Sequence, residues 1–377
     1  MARKFKNIKV AMVVGVRPQF VKASMLLKAL KKYQDVQTVI IHTGQHYDDN
    51  MSEVFFRELQ IPRPKYNLGI GSSTHGKQTG RMLAGIEKVL LKEKPDFVVV
   101  FGDTNSTLAG ALAAAKLKYK IEPLTQGPYR YPIIAHVEAG LRSYKRRMPE
   151  EINRTLTDHI CDVHFCPSSC AVENLKKEGI VKNIYNVGDI MYDSLLYFIK
   201  KVAPKQDLLV KFGLLPHQYY LATIHREQNT DVLENLQKII DILEDLNLPV
   251  LFPIHPRTRK AIKGLNIKFS NIRFIPPLSY LNMLTVEKNA KLIITDSGGV
   301  QKEAFYLKVP CIVLRDESEW RELLDTGWNL LTGLNKKRVL KAVTTLTKLR
   351  HYTGKIKFYG DGSANIKIAK IIRELLR

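Results

Sequence analysis

The sequence predicts an α/β protein with two doubly wound, Rossmann-like parallel sheets, and three observations carry this prediction. Apolar runs rich in β-branched residues, such as "IKVAMVVG", "VQTVIIHTG", "DFVVVFGD" and "IIAHVEAG", alternate with amphipathic segments of helical periodicity. The alternation restarts near Gln218 with "YYLATIHRE", "PVLFPIHP" and "AKLIITDSGG". The chain has 377 residues, more than one typical core accommodates, so two domains are expected.

The periodicity weakens between residues 200 and 217, and this predicts the linker between the two domains. An N-terminal domain is expected over residues 1–200 and a C-terminal domain over residues 201–360. Residues 361–377 include "ANIKIAKIIRELLR", which has the apolar face of a helix. The pattern alone does not decide which domain this helix packs on.

Composition excludes several classes of function. The chain is 45% hydrophobic and 25% charged, as ordinary soluble globular proteins are, and no apolar segment is long enough for a membrane span. The start "MARKFKNIKVAMVVG" is interpreted as a first strand and not a signal peptide, so a cytoplasmic protein is expected. The net charge of +23 is spread along helices without a nucleic-acid-binding motif, which favours a lysine-rich surface and a small anionic ligand over nucleic acid.

Ligands of such sheets bind at the carboxyl ends of the strands, so the site is expected in a cleft between the two facing domains. After the first strand, Arg17 and Lys22 lie on the first turns of a helix that Pro18 helps to begin. Two cations at a helix start suit a phosphate. A purely structural role as ordinary helix-start residues is the less favoured alternative.

Three acids follow later strands of the first domain. Asp103 comes after "DFVVVFGD" and could be a helix N-cap or a functional carboxylate. Glu138 continues an apolar strand, where an unpaired carboxylate is costly, and Glu150 opens a helix next to a second glutamate. Crowded carboxylates raise one another's pKa values, which yields acid/base pairs near neutral pH. Arg142, just beyond Glu138, is predicted to contact substrate.

The second domain offers His225 and His255, each at the end of an apolar run, and a strand that runs into Ser297-Gly298-Gly299 and a helix. Strand-end histidines are interpreted as ligand contacts, and the glycine turn as a diphosphate cradle. Glu303 is predicted to accept a hydrogen bond from a ribose. Close-spaced metal ligands such as HxxxH are absent, so no metal is expected.

The motifs "GVRPQFVK", "TGQHYD", "GDTNSTLAGALAA", "HVEAGLRS", "PEEINR", "HREQN" and "TDSGGVQKEA" resemble, in order, those of the UDP-N-acetylglucosamine 2-epimerase family. The resemblance implies two domains of the glycosyltransferase-B type, a final helix that returns to the first domain, a homodimer and a UDP-sugar substrate. It implies no metal or redox cofactor. The implied reaction is non-hydrolysing epimerisation at C2, in which UDP is eliminated to give a 2-acetamidoglucal and is then added back.

The resemblance also implies roles for single residues. Matching positions for catalysis are Asp103, Glu138, Glu150 and His225. Matching positions for UDP contact are Arg17, Lys22, His255, Ser297, Gly298, Gly299 and Glu303. Gln45 and His46 match a region where some bacterial members bind a second, activating UDP-sugar.

The sequence differs from the family motifs at two places, and these differences leave the identity of the sugar substrate undecided. Trp320 stands where the usual enzymes have arginine, and "HREQN" replaces "HRREN". Both are similar to the branch that epimerises UDP-2,3-diacetamido-2,3-dideoxyglucuronate and to archaeal relatives. A hydrolysing epimerase and a glycosyltransferase of the same fold are also compatible with these motifs. An apparent insertion between Pro123 and Pro132 has loop composition and no assigned purpose.

Overall fold

A computed structural model of the chain describes residues 7–45, 56–120, 129–202, 206–254, 256–263, 269–348 and 358–376. It divides into two compact units: unit 1 comprises Met1–Ser194 and Ile356–Arg377, and unit 2 comprises Leu195–Lys355. The domain bounds predicted from the sequence, at residues 200 and 360, remain a prediction. The change from one compact unit to the other occurs a few residues earlier in both places.

Unit 1 is built on a seven-stranded parallel sheet. The described strands are β1 (Ile8–Val14), β2 (Val36–His42), β3 (Tyr66–Asn67), β4 (Phe97–Phe101), β5 (Tyr119–Lys120), β6 (Tyr129–Arg130), β7 (Ile133–Val137), β8 (Val163–Cys166) and β9 (Ile184–Asn186). Their order in the sheet is β3-β2-β1-β4-β7-β8-β9, and β5 and β6 form a separate antiparallel ribbon. Because helices cover both faces, β1 and β4 read as continuous apolar runs and are almost wholly buried.

The helices of unit 1 follow the strands as the amphipathic segments predict. They are α1 (Arg17–Leu30), α2 (His75–Glu93), α3 (Asn105–Ala115), α4 (Pro149–Ile160), α5 (Ser169–Lys177) and α6 (Ile190–Ile199). Local chemistry sets their starts: α1 and α4 have proline in the first turn, and Thr104 caps α3 by accepting the Thr107 N–H. α6 continues from Ser194 into unit 2.

Unit 2 repeats this architecture with a six-stranded parallel sheet. Its strands are β10 (Tyr220–Thr223), β11 (Val250–Pro253), β12 (Ile272–Ile275), β13 (Leu292–Thr295), β14 (Cys311–Val313) and β15 (Asn329–Leu331), in the order β12-β11-β10-β13-β14-β15. Its helices are α7 (Gln206–Lys211), α8 (Glu227–Thr230), α9 (Leu233–Glu244), α10 (Pro256–Lys263), α11 (Tyr280–Lys288), α12 (Gly298–Tyr306), α13 (Arg321–Asp325) and α14 (Lys336–Leu346). The predicted α/β class with two Rossmann-like sheets is confirmed.

Each sheet has one switch point, where the strand order reverses. In unit 1 the chain builds outward from β1 to β3 and then starts again at β4, which pairs with the other side of β1. In unit 2 the same reversal separates β10 from β13. Ligands of open α/β sheets bind beyond the carboxyl ends of the two strands that flank this point. The residues after β1, β4, β10 and β13 therefore define the candidate sites.

The last helix, α15 (Ala364–Glu374), packs against α1 within unit 1. Asp193 accepts the Asn365 main-chain N–H at 2.7 Å, and the Asn365 side chain donates to the Met25 carbonyl at 3.2 Å. Near the other end, Arg373 Nε lies 2.9 Å from a carboxylate oxygen of Asp35. Among the helices described, none combines the length and apolarity that crossing a membrane requires.

Candidate active site

The turn after β1 is tied to the turn after β4 by one buried side chain. Gln19 accepts the Gly15 N–H at 2.7 Å and donates to the Phe101 carbonyl at 2.6 Å. A Cβ at Gly15 would lie 2.0 Å from Ser106 Oγ, so only glycine permits this approach. The bracing fixes the start of α1, where Arg17 is half-buried and the more buried Lys22 lies further along the helix.

Glu138 begins the turn after β7 and is held in an unusual backbone conformation. Its φ is 79°, in the left-handed region that costs a non-glycine residue roughly 1–3 kcal/mol. The Glu138 N–H donates to the Phe165 carbonyl at 3.0 Å, and Lys22 Nζ donates to Glu138 Oε2. Strain of this kind persists where the surroundings fix the residue, and it concentrates at functional sites. The lysine compensates the charge of a carboxylate whose side chain is only 9% exposed.

Asp103 follows the turn after β4 and is held by α4. Arg154 Nη2 donates to the Asp103 carboxylate, and Asn153 donates to the Asp103 carbonyl at 3.0 Å. The carboxylate remains one-third exposed, with a side-chain exposure of 34%. Asp103 is therefore positioned by two side chains while one edge stays open to a ligand.

The two glutamates at the start of α4 have different environments. Glu151 is buried and accepts the main-chain N–H groups of Ser143 at 3.0 Å and Tyr144 at 2.8 Å. Its Oε2 also lies 3.0 Å from Arg154 Nη1. Glu150 is half-buried and makes no hydrogen bond or ion pair with any residue the structure describes. Glu151 organises the loop, which leaves Glu150 as the member of the pair available for chemistry.

Arg142, which is predicted to contact substrate, is held by contacts within unit 1. The guanidinium is buried, with Nη1 at 2.7 Å from Asp158 Oδ2 and with Nε and Nη2 each at 2.7 Å from the carboxylate of Glu178. Nη1 also donates to the Leu141 carbonyl at 2.7 Å. Two carboxylates and a carbonyl accept four hydrogen bonds from Arg142, so this side chain supports the turn, and its predicted contact with substrate stays a prediction.

In unit 2, a buried aspartate orients the predicted histidine. His225 Nδ1 lies 3.2 Å from Asp296 Oδ1, and the same carboxylate accepts N–H groups from Arg226 at 3.1 Å and Asn229 at 3.0 Å. Burial raises the pKa of Asp296, but its hydrogen bonds with His225 and Asn229 outweigh this and hold the pKa below its ordinary value. An ionised Asp296 fixes a proton on Nδ1 and leaves Nε2 for a ligand, since the His225 side chain is 52% exposed.

Beyond β13, Ser297 begins α12 and its hydroxyl accepts the Val300 N–H at 3.5 Å. Ser297, Gly298 and Gly299 are all half-buried, so N–H groups at the helix start remain accessible in part. A Cβ at Gly298 would lie 2.3 Å from Glu319 Oε1 and 3.5 Å from Trp320 Nε1. Glu303 is buried, at 7% exposure. The arrangement is a helix start that can accept an anion.

Other predicted residues contribute less. Gln45 Oε1 accepts the Ser106 hydroxyl at 2.7 Å, so it packs on the start of α3. His46 and His255 lie outside the described residues, as do residues 121–128 of the apparent insertion. Within the described ranges, no group of three or more His, Cys, Asp or Glu side chains is suited to a metal ion.

Three residues that position the site are missed by sequence reasoning: Gln19, Arg154 and Asp296. Each lies inside a quoted motif, namely "GVRPQFVK", "PEEINR" and "TDSGG". Asp296 carries a usable signal, because a charged residue directly after an apolar strand and before a glycine turn must find partners if it is buried. Gln19 and Arg154 carry no such sequence signal. Their partners, Phe101 and Asp103, are 82 and 51 residues away in the chain.

Comparison with known proteins identifies the family of the chain. Residues 28–373 match the family model described as UDP-N-acetylglucosamine 2-epimerase. A UDP-N-acetylglucosamine 2-epimerase homolog of Methanococcus maripaludis is 48% identical over 98% of this chain and 100% of its own. The UDP-2,3-diacetamido-2,3-dideoxy-D-glucuronate 2-epimerase of Pseudomonas aeruginosa is 45% identical, with coverages of 98% and 100%.

A solved structure extends the match to three dimensions. The Methanocaldococcus jannaschii UDP-GlcNAc 2-epimerase, in complex with UDP-GlcNAc and UDP, superposes with a TM-score of 0.88 at 45% identity. The match covers 97% of this chain and 100% of that one. With these similarities and the acids and histidine described above, the chain belongs to the UDP-N-acetylglucosamine 2-epimerase family and is an epimerase.

Proposed function

We propose that this epimerase inverts C2 of a UDP-2-acetamido sugar without hydrolysis, interconverting UDP-GlcNAc and UDP-ManNAc. The observation that carries the proposal is Glu138, a strained carboxylate after β7 that is paired with Lys22. Asp103 and Glu150 add carboxylates from neighbouring elements of the same unit. The M. jannaschii relative, crystallised with UDP-GlcNAc and UDP, supports the choice of ligand.

The reaction proceeds by elimination and re-addition. A carboxylate takes the C2 hydrogen as a proton, the electrons of that C–H bond form the C1=C2 double bond, and the bond from C1 to the diphosphate oxygen breaks. UDP leaves with the bonding pair and a 2-acetamidoglucal remains. A diphosphate oxygen then bonds to C1 again, while an acid delivers a proton to the opposite face of C2.

Each group has a role that its surroundings favour. Asp103, Glu138 and Glu150 handle the C2 proton on its two faces, and the three are not assigned to particular faces. The cations beside two of them, Lys22 and Arg154, stabilise the ionised forms. His225, held by Asp296, assists departure and return of UDP through Nε2.

UDP contact is proposed for residues of both units. Arg17 and Lys22 supply positive charge, Gly298 and Gly299 supply N–H donors, and Glu303 accepts from the ribose. Ser297 contributes its hydroxyl, because its own N–H donates to Thr295 Oγ1 at 2.9 Å. His255 stays in the proposed set on the family resemblance. The same resemblance supports a homodimer in the cytoplasm, no metal or redox cofactor, two domains that coincide approximately with the compact units, and a second UDP-sugar near Gln45 and His46.

A second candidate substrate is UDP-2,3-diacetamido-2,3-dideoxyglucuronate. Trp320 favours it by resemblance, since it stands where the usual enzymes have arginine. Its ring is buried beside the start of α12, and Lys302 Nζ lies 4.0 Å from the ring centroid. The relative from P. aeruginosa is named for that sugar. The M. jannaschii UDP-GlcNAc 2-epimerase has the same sequence identity to this chain, 45%, as the P. aeruginosa relative. Sequence identity alone therefore does not choose between the two sugars.

The deciding experiment is proton NMR of the pure enzyme with UDP-GlcNAc in D2O. We expect UDP-ManNAc with deuterium at C2 and UDP still attached. Free UDP with free ManNAc would replace this proposal with a hydrolysing epimerase. No exchange with UDP-GlcNAc, but exchange with the diacetamido glucuronate, would establish the second candidate. No exchange with either sugar would contradict the proposed function and favour a glycosyltransferase.

A further inference from the structure

A buried histidine that the proposed mechanism does not use lies directly behind the acids. His136, on β7, is 0% exposed and precedes Glu138 by two residues. Its Nε2 lies 2.7 Å from the Gly102 carbonyl, which immediately precedes Asp103. Its Nδ1 lies 2.7 Å from Asp158 Oδ1 on α4. One ring therefore links the turn after β4 to the strand that carries Glu138.

The hydrogen bonds define the charge of this ring. A carbonyl oxygen only accepts, and an ionised carboxylate only accepts, so both ring nitrogens of His136 must donate. Asp158 Oδ2 is paired with the buried guanidinium of Arg142, which is always charged, and this ion pair keeps Asp158 ionised without any contribution from His136. His136 is accordingly an imidazolium.

The charges around the ring compensate it. Asp158 Oδ2 accepts from Arg142 Nη1 at 2.7 Å and from the Gly140 N–H at 3.1 Å, so the same carboxylate also holds the turn that follows Glu138. Arg142 is paired in turn with Glu178. His136, Arg142, Asp158 and Glu178 form a chain of alternating charges that is buried except at Glu178, whose side chain is 26% exposed. Gly102 itself lies close to the Lys22–Glu138 pair. A Cβ added to this glycine would lie 3.3 Å from Glu138 Oε2 and 3.4 Å from Lys22 Nζ.

We propose that His136 is a positioning residue of the epimerase site, whose imidazolium holds the Gly102 carbonyl and so sets the separation of Asp103 from Glu138. The inference rests on the proposed roles of those two acids. Without the donor at Nε2, the Gly102 turn loses its only described side-chain hydrogen bond at that carbonyl. Asp103 and Glu138 then reach the two faces of C2 less accurately, and misplacement by about 1 Å costs roughly 10²-fold in rate.

His164 provides a matched control. It is the register partner of His136 on β8, is equally inaccessible at 2% exposure, and bonds the main-chain carbonyl of Asp158 through Nε2 at 2.7 Å. Burial lowers the pKa of His164, and its Nδ1 has no hydrogen-bond partner among the described residues. Of these two adjacent buried histidines, we thus expect His136 to be charged and His164 to be neutral. The side chain of His136 hydrogen-bonds the turn that bears Asp103, whereas that of His164 hydrogen-bonds the main chain of α4.

The test compares His136→Leu, His136→Gln and His164→Leu by C2 exchange in D2O and by thermal unfolding. We expect His136→Leu to lower kcat about 10²-fold with KM nearly unchanged. His136→Gln, whose amide can still donate to Gly102, should recover about tenfold of that loss. His164→Leu should lower the melting temperature comparably and leave kcat within about threefold of wild type. Equal kcat values for His136→Leu and His164→Leu would overturn the inference.

A second measurement does not depend on activity or on the variants folding. Nitrogen-15 NMR of histidine-labelled wild type should show one ring whose two nitrogens are both protonated, because both face acceptor oxygens at 2.7 Å. The charged and titratable groups around that ring are Asp158, His164, Arg142 and the Lys22–Glu138 pair. Only neutral, singly protonated rings near pH 8 would overturn the inference, whereas absent C2 exchange in wild type would contradict the proposed function.

Discussion

The two switch points of this molecule share a topology and differ in chemistry. In unit 1 the turns after β1 and β4 lie beside carboxylates, and Lys22 and Arg154 pair with Glu138 and Asp103. In unit 2 the turns after β10 and β13 bear a half-exposed histidine on a buried aspartate, next to a serine-glycine helix start. The first arrangement suits transfer of a proton from carbon, and the second suits an anionic leaving group.

The comparison shows that the strand order fixes where a site lies but not what it does. Both sheets bring the ends of their first and fourth strands together, and the residues that follow decide the reaction. On this division of labour, substitutions of the unit 1 carboxylates Asp103, Glu138 and Glu150 will stop proton exchange and spare UDP binding. Substitutions in unit 2 will weaken UDP binding or its departure.

Glu138→Gln should have the largest effect. The amide cannot take the C2 proton, and we expect the rate of C2 deuterium exchange to fall about 10³-fold while UDP affinity changes little. The measurements are NMR exchange in D2O and calorimetric titration with UDP. Glu173→Gln, at an exposed position on α5, is the control and should match wild type. Retained turnover would remove Glu138 from the mechanism.

The adjacent glutamates of α4 allow a sharper division between chemistry and structure. Glu150→Gln should lower C2 exchange at least about tenfold with an unchanged melting temperature, because Glu150 has no described partner to lose. Glu151→Gln should lower the stability by about 1–3 kcal/mol, because its buried carboxylate accepts two main-chain N–H groups and pairs with Arg154. If Glu150→Gln lowers the stability and Glu151→Gln lowers only the rate of C2 exchange, Glu151 is the catalytic residue and Glu150 the structural one.

Asp296→Asn tests the histidine of unit 2 and its pH dependence. Loss of the carboxylate should lower kcat about tenfold or more, because Nδ1–H of His225 loses an ionised acceptor and the amide that replaces it has only one acceptor oxygen. Since the folded-state pKa of Asp296 lies below its ordinary value, its stabilising contribution is present above about pH 4 and is lost as pH falls through the folded pKa.

Denaturant unfolding at several pH values measures this contribution. Wild type should exceed Asp296→Asn in stability at neutral pH, and the difference should shrink under acidic conditions. A difference that grows as the pH falls would contradict the assigned direction of the pKa shift.

The fold and most site positions are accessible to sequence reasoning because they depend on local patterns. A few neighbouring residues suffice to predict a strand from an apolar run such as "DFVVVF", or the start of a helix at Pro149. The polar residue after each strand can then be placed by topology alone. Among the carboxylates, the family resemblance assigns catalytic positions to Asp103, Glu138 and Glu150.

The supporting contacts could not be predicted, because they join residues that are distant in the chain. The position of Arg142 just beyond Glu138 predicts a substrate contact, whereas its partner Glu178 lies 36 residues away. The left-handed Glu138 donates its main-chain N–H to Phe165, which is 27 residues further along the chain, on β8. Local patterns predict where a charge lies, but tertiary contacts decide what it binds.

A smaller effect is expected at the helix start of unit 2. Gly298→Ala places a Cβ 2.3 Å from Glu319 Oε1, and that carboxylate is held by Arg315 at 2.9 Å. We expect a loss of about 1–3 kcal/mol in stability from this overpacking, together with weaker UDP binding. Gly299→Ala is the matched control, since its nearest contact would be Ser297 Oγ at 3.9 Å. Equal denaturation midpoints for the two variants would show that Glu319 moves away freely.

The smallest expected effect concerns the sugar. Trp320→Arg removes the ring that Lys302 faces at 4.0 Å and places a second cation beside that lysine, so the melting temperature should fall. The ratio of kcat/KM for UDP-GlcNAc to that for the diacetamido glucuronate should shift by up to about tenfold, the scale of one altered pocket contact. Trp320→Phe keeps an aromatic face for Lys302 and should leave the ratio near wild type. If Trp320→Arg also leaves the ratio unchanged, position 320 does not set the choice of sugar, and the selectivity lies with the residues that contact C3 and C6.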